Sequence, residues 1–511
     1  MDEKEKKDEL YRAYKPLRNH LRKLSVPESL LVLWHYLRHL HSGNTEFPDI
    51  DVSQEFLEAD HIQKRRGISE WDLEILIREV IIHGWSWDED QKTLRKGNYL
   101  AGAVNKLKDI NGSISKLYIN KDNVLKEMAR LSHQQFMWVI KKPTMNSFTR
   151  YYKIFSAPGL DTLLESHFEL TIQEIFIFAS AVWGYFQNKA ALDNPPKIQI
   201  LNLTPEDFEK FVSKFTKDCE SLREDMLASR KIDDRFFYDF NPLRRYPLIS
   251  MRYFGKDSIV CPDPTILYWR LTDGIYYELF DKPGFSEPFG TSFENYVGEV
   301  LEKTCGAFSI LKEEEYGPKR DRKKSIDWIV DAGRDALFIE CKTKRMRHNA
   351  KAELLSNEVQ EADLEKMADF VVQAYKSIRD YKARKYPHLA YRWRRRVYPM
   401  IVTLEDWMIF GDYLMGQLDS MIRTKMQTEN LPLWYLEAMP YSICPIQTFE
   451  NLIQVIAEKG IHDVVADKCR DDDKKLWDYS AYAPDKYPEE WKKCSFLFEE
   501  DFEKILPPEF Y

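Results

Sequence analysis

Residues Ala336–Lys342 read Ala-Leu-Phe-Ile-Glu-Cys-Lys, a run with the composition of a buried strand into which a carboxylate and an ammonium are set. Side chains alternate faces along a strand, so Leu337, Ile339 and Cys341 share one side, and Phe338, Glu340 and Lys342 the other. Opposed charges among apolar neighbours are costly unless they pair or bind an ion. Just upstream, Ser325–Val330 (SIDWIV) reads as a second strand, with Ile326, Trp328 and Val330 facing one way and Asp327 the other. Asp331-Ala332-Gly333-Arg334 is the turn between them. A fold that accepts this stretch brings two carboxylates and a lysine to one place on a sheet, a donor set suited to a hard cation. A magnesium ion there would polarise a phosphate, with Lys342 orienting a water or steadying developing charge.

The flanking pattern from Gly290 is α-β-β-β-α-β. A helix is expected over Ser292–Lys303, short strands over Ala307–Leu311, Ser325–Val330 and Ala336–Lys342, a long helix over Ala362–Lys382, and a buried strand over Val397–Leu404. The triplet Glu-x-Lys is weak by itself, since it also occurs at Glu5–Lys7 and Glu490–Lys492. Only the middle copy lies in an apolar strand, thirteen residues after an aspartate in another.

The remaining chain, within a total of 511 residues, is too long to share one small core. Residues 1–240 are expected to be mostly helical, with apolar three-to-four spacing at Leu30–Leu40, Trp71–Ile82, Asp122–Leu131 and Thr171–Phe186. Thr204-Pro205-Glu206-Asp207 marks a helix start running to about Ser229. Prolines 242, 247, 262 and 264 break residues 241–288 into a connector with β-like pieces such as Tyr246–Tyr253. Residues 406–511 form a mixed extension with no readable chemistry. The expected fold class is therefore α+β multidomain, with a helical region that regulates or targets the segment 289–405.

Ile326-Asp327 followed by Glu340-Cys341-Lys342, within this element order, resembles the PD-(D/E)xK superfamily of restriction-endonuclease-like nucleases over about residues 289–405. The resemblance implies that Asp327, Glu340 and the carbonyl of Cys341 ligate Mg²⁺, with Mn²⁺ as a substitute, and that Lys342 is the catalytic lysine. Many members add a glutamate on the first helix. Glu294 is the candidate, because it shares a face with Val297 and Leu301, and Glu299 ranks second. Isoleucine stands where the motif has proline. Gln373 matches one exonuclease branch only in part, because its tyrosine follows at Tyr375 rather than four residues on; Gln373 stays a site candidate by position. The implied activity is hydrolysis of phosphodiester bonds in DNA, as an endonuclease of bacterial restriction or anti-phage defence. RNA as substrate and an inactive nucleic-acid-binding scaffold stay open as alternatives.

Charge placement bears on the partner. The whole chain is at −8, which argues against a surface that coats nucleic acid. Residues 317–396 carry 21 Lys+Arg against 12 Asp+Glu, a net +9, and the rest carries 54 against 71, a net −17. The candidate nucleic-acid contacts fall in three groups: Lys323 and Lys324; Lys344, Arg345 and Arg347; and Arg392, Arg394, Arg395 and Arg396. Such cations position a phosphate backbone and make binding salt-dependent. No Walker-type phosphate loop occurs, so any NTP-driven step would need a partner NTPase or sensor protein. The seven cysteines include no CxxC pair, and neither a signal peptide nor an apolar run longer than Ile175–Phe186 is present. A cytoplasmic protein with no membrane partner is expected, and homo-oligomerisation stays open. His35, His39 and His41 have metal-capable spacing but sit among Leu and Trp, where packing is the simpler reading.

Overall fold

The computed structural model describes residues 1–43, 46–85, 93–193, 204–355 and 358–506. Helices fill the first part of the chain where apolar residues recur every three to four positions: Val26–Ser42 and Glu70–His83 enclose their expected segments, while Val124–Ile140 and Ile172–Asn188 begin one or two residues later than expected and run further. Local chemistry sets their ends. Thr171 accepts from the Glu174 amide and the Glu174 carboxylate accepts from the Thr171 amide, a reciprocal arrangement that satisfies two otherwise orphaned donors.

The helix expected from Thr204 to about Ser229 is in fact two. Thr204 caps Pro205–Ser213, and Asp218 then caps a second helix, Cys219–Ser229, by accepting from the Ser221 amide at 2.9 Å. Between them Thr216–Asp218 pairs in parallel with Leu248–Ser250, so sheet pairing from outside the segment overrides helix continuation. The connector is also more regular than its prolines indicate. Leu248–Tyr253 and Lys256–Val260 form an antiparallel hairpin around Phe254 and Gly255, both at positive φ (46° and 80°), the geometry of a twist-matched two-residue turn. Ala191–Asp193 and Thr216–Asp218 complete a four-stranded sheet.

The site-bearing sheet has five strands: β1 Ser309–Lys312, β2 Trp328–Asp331, β3 Asp335–Lys342, β4 Arg396–Thr403 and β5 Ser442–Pro445. Their spatial order is β5-β4-β3-β2-β1. The β1–β2 and β2–β3 pairs are antiparallel, whereas β3–β4 and β4–β5 are parallel. Helix α1, Ser286–Thr304, precedes β1, and α2, Glu358–Lys382, connects β3 to β4. The fifth strand comes from beyond residue 405, so the C-terminal extension completes the sheet. The architecture is thus α+β, helical first and then sheet-centred.

The alternation along β3 sorts its side chains between two cores. Leu337, Ile339 and Cys341 join the cluster that includes Val297 and Leu301 of α1, while Ala336 and Phe338 join the cluster that includes Val371, Tyr375 and Ile378 of α2. One expectation changes: Ile326 belongs with Phe338 and Ile329, opposite Trp328 and Val330. Regular strand geometry begins only at Trp328, so the strict alternation does not reach back to Ile326. The larger cluster runs from Leu10 to Leu506, which ties both ends of the chain to the α1 side of this sheet.

Candidate active site

The β2–β3 pairing aligns Trp328 with Ile339, which sets Asp327 beside the Glu340–Lys342 end of β3. Asp327 Oδ2 accepts from the Cys341 amide at 2.7 Å, so the carboxylate is fixed by backbone. Glu340, 1% exposed, accepts on a single oxygen from both Lys342 Nζ at 2.5 Å and Gln373 Nε2 at 2.6 Å. Lys342 Nζ also lies 5.2 Å from the Phe370 ring centre, within range for a cation over an aromatic face. Gln373 and Phe370 lie one turn apart on α2, which crosses over this end of β3. Gln373 thus joins the site from its position on the long helix.

Glu294 enters from α1. The Trp328 indole donates to the Glu294 carbonyl at 2.8 Å, and the Trp328 ring lies against Gly298. A Cβ on Gly298 would meet that ring at 2.2 Å, so only glycine lets α1 approach β2 this closely. The approach places Glu294 within the field of Asp327. Glu299, the second-ranked candidate, is paired with Lys153 at 2.7 Å.

The electrostatics are those of crowded acids. Burial, followed by the Asp327 and Glu313 carboxylates, pushes Glu294 up to about 7. Burial and then Asp327 raise Glu340 despite Lys342. Burial raises Asp327 too, against the opposing pull of Lys342 and the Cys341 amide. For Lys342, burial alone would favour the neutral amine, but Glu340 and Asp327 outweigh it and raise the pKa. Three carboxylates thus lie within one another's fields, with one ammonium among them. Oxygen donors that repel one another in a desolvated pocket are the chemistry a hard divalent cation satisfies. Among the described residues, no group of three or more His, Cys, Asp or Glu side chains is closed around a common point that could hold a metal. The donor types fit Mg²⁺, and in the present arrangement Lys342 holds Glu340.

The three basic groups do not all border this site. Lys323 and Lys324 are exposed on a small hairpin, paired with Asp321 and Glu313, and Lys324 senses both Asp327 and Glu294. Lys344 is exposed just past the lysine strand. Arg347 is half exposed but held to Asp363 at 2.9 Å. Arg345 is corrected: it is 8% exposed, stacked on Tyr276 at 4.2 Å and donating to the Asp273 carbonyl, so it packs the sheet domain against the preceding segment. Arg395 is corrected likewise, whereas Arg396 is partly exposed and paired. Arg395 is buried on Asp331, the Gly333 carbonyl and Tyr381, and Arg396 grips Asp335 through two hydrogen bonds. Parallel register pairs Arg396 with Asp335 and Thr403 with Lys342. The 392–396 group therefore sits at the opposite end of β3, about 23 Å along the strand from Lys342 at roughly 3.3 Å per residue. Arg392 and Arg394 remain exposed there.

The histidine group is a packing feature. His35 and His39 are buried, with aromatic contacts to Phe47, and His41 stacks on Trp138. All seven cysteines are free. Sequence reading missed Gly298, Trp328, Glu313 and Phe370 as shapers of the site. Glu313 had a faint signal as an acid flanking the first strand, while the close approach at Gly298 had none. No described helix is long and apolar enough to cross a membrane. No family model, curated protein or solved structure matches the chain.

Proposed function

We propose that this chain is a metal-dependent nuclease that hydrolyses phosphodiester bonds of DNA, with Mg²⁺ held by Asp327, Glu340 and Glu294 and the carbonyl of Cys341 as a further oxygen donor. The observation that carries the reading is that Asp327, just before β2, Glu340 on β3 and Glu294 on α1 lie within one another's fields beside the buried Glu340–Lys342 contact. An ion pair serving stability alone needs one acid for one base; a second and third acid weaken it. The order α1-β1-β2-β3-α2-β4 supports the resemblance to PD-(D/E)xK nucleases, and β5 extends it.

A bound divalent ion would supply Lewis-acid polarisation of the scissile phosphate and neutralise the carboxylates. The chain's own groups supply the rest. Asp327, fixed by the Cys341 amide, is preorganised as an anionic oxygen donor. Lys342, once Glu340 turns to other work, has an ammonium free to stabilise charge developing on the phosphate oxygens or to orient a water for attack. Gln373 keeps one Glu340 oxygen in place while Lys342 moves. Exposed Lys324 and Lys344 stand near enough to contact flanking phosphates.

The test is incubation of the full chain with plasmid, linear DNA and RNA, with Mg²⁺ or EDTA. Wild type should cleave only with the metal, and Lys342→Ala should lose cleavage while still binding the substrate. Full activity in Lys342→Ala overturns the assignment. Cleavage confined to RNA moves the substrate and keeps the site. Binding without Mg²⁺-dependent cleavage leaves the scaffold reading.

A further inference from the structure

The basic group that lies far from the lysine strand has its own architecture. Residues 379–396 carry eight Lys+Arg against one acid. In the loop leading into β4, Trp393 is 73% exposed and Tyr391 36% exposed. Arg394 lies over the Trp393 ring at 4.4 Å and Arg384 over the Tyr391 ring at 4.9 Å. Arg384 also holds a left-handed backbone, φ 62°, which glycine would adopt without strain, yet the position carries a guanidinium. Arg392 anchors the loop from its base, donating from its backbone to the Tyr381 hydroxyl and from its side chain to the Gly333 carbonyl. Trp393 is the most exposed large aromatic side chain among the described residues, so it contributes little to the core.

The ground between this loop and the acids is also basic. The small hairpin of Glu315–Tyr316 and Lys323–Lys324 docks on the end of α2, with the Tyr316 hydroxyl donating to Asp380 at 2.8 Å and the Tyr316 ring 5.2 Å from Tyr386. Cations occur along this ground: Lys324, paired with Glu313 and sensing Glu294 and Asp327; exposed Arg320 on the hairpin turn; Lys385, just past α2 and paired with Asp380; then Arg384 and Arg394.

We propose that this line of cations binds one strand of nucleic acid leaving the active site, and that Trp393, with Tyr391, stacks on an unpaired base at its far end. The inference rests on the nuclease reading of the acidic site and names its substrate class: nucleic acid with a single-stranded portion. A duplex buries base faces within its stack, so an exposed indole finds a base to stack on only where pairing is absent. The span fits. About 23 Å along β3 corresponds to roughly seven nucleotides at the 3.4 Å spacing of a fully stacked strand, and to fewer in an extended one.

The experiment is fluorescence anisotropy on the full chain in EDTA, with a labelled 12-nucleotide single strand and a 12-pair blunt duplex. Trp393→Ala is expected to bind the 12-nucleotide strand about tenfold more weakly, within the range measured for loss of one stacked base, with Trp393→Phe restoring most of the affinity. The blunt duplex should show less than a twofold change. Equal affinity of wild type and Trp393→Ala for the 12-nucleotide strand, with metal-dependent cleavage intact, overturns this inference alone. An equal loss on polyglutamate also overturns it, because the loop would then read polyanions rather than bases. Absence of binding to every nucleic acid, together with absence of Mg²⁺-dependent cleavage, overturns the nuclease reading as well.

Discussion

Replacing Glu294 with glutamine should stabilise the metal-free protein, with a gain that grows as pH rises from about 4 to about 7 and then levels off. Glu294 sits at about 7 in the folded chain because of burial and its acidic neighbours, against roughly 4.3 for an unfolded glutamate. A carboxyl whose folded pKa is raised favours folding fully below the unfolded value and loses that contribution as pH rises through the folded value. Below about pH 3 both states bind the proton and wild type matches the variant, and at pH 5 only about a quarter of the difference has developed. By pH 8 both have released it, and the folded state carries the cost of the ionised group. The shift alone sets an upper bound of about 3–4 kcal/mol at 1.36 kcal/mol per unit. Partial solvent access to the side chain discounts this to about 1–2 kcal/mol. Urea denaturation in EDTA at pH 5 and pH 8 reads the difference directly. Glu294→Gln should match wild type within about 0.5 kcal/mol at pH 5 and exceed it at pH 8. Addition of Mg²⁺ at pH 8 should stabilise wild type more than the variant, which lacks one anionic donor. A variant less stable than wild type at pH 8 in EDTA would show that Glu294 makes a favourable ionic contact there, and the picture of mutually repelling acids would be refuted.

Arg345→Ala should lower stability by about 2–4 kcal/mol, because it removes a buried cation with its aromatic stacking and hydrogen bond. It should leave the salt dependence of nucleic-acid binding unchanged, whereas Lys344→Ala should reduce that slope by about one unit and spare stability; urea melts and binding across a salt series separate the two. Gly298→Ala should cost about 1–3 kcal/mol through collision with the Trp328 ring and should impair metal-dependent activity by displacing Glu294; a thermally neutral variant would contradict the close approach. Arg150→Ala should cost about 3–5 kcal/mol, since its two-bond contact with Glu450, at 2.7 and 2.8 Å, is buried and shared with the Tyr296 hydroxyl. Limited proteolysis of that variant should release the C-terminal extension earlier than in wild type.

Much of the sheet was legible because its signals are local. The alternation in Ala336–Lys342, the turn at 331–334 and the apolar period of the long helix each follow from the residues themselves, and observed bounds differ by a few positions. What was not legible depended on distant partners. The break at residues 214–218 arises because Leu248–Ser250 offers a parallel edge to Thr216–Asp218, and nothing within 204–229 announces it. The fifth strand, Ser442–Pro445, is too short to stand out until β4 lies beside it. At the site, Asp327, Glu340 and Lys342 could be named from strand period, whereas the contact of Gln373 with Glu340 required the crossing of α2 over β3.

The arginines show where the boundary lies. Composition counted them all as one basic segment, and the sequence by itself determined the charge, the strand alternation and the types of donor available to a cation. Only the tertiary structure decided what each charge does. Arg345 and Arg395 are buried on carboxylates, carbonyls and aromatic rings, while Arg394 is left in solvent beside an exposed tryptophan. Parallel register then carried the 392–396 group to the far end of β3 from the lysine. The physical reason is range. Propensity and periodicity act over a few residues, but the energy of a charge depends on its solvation and on neighbours brought close only by the fold.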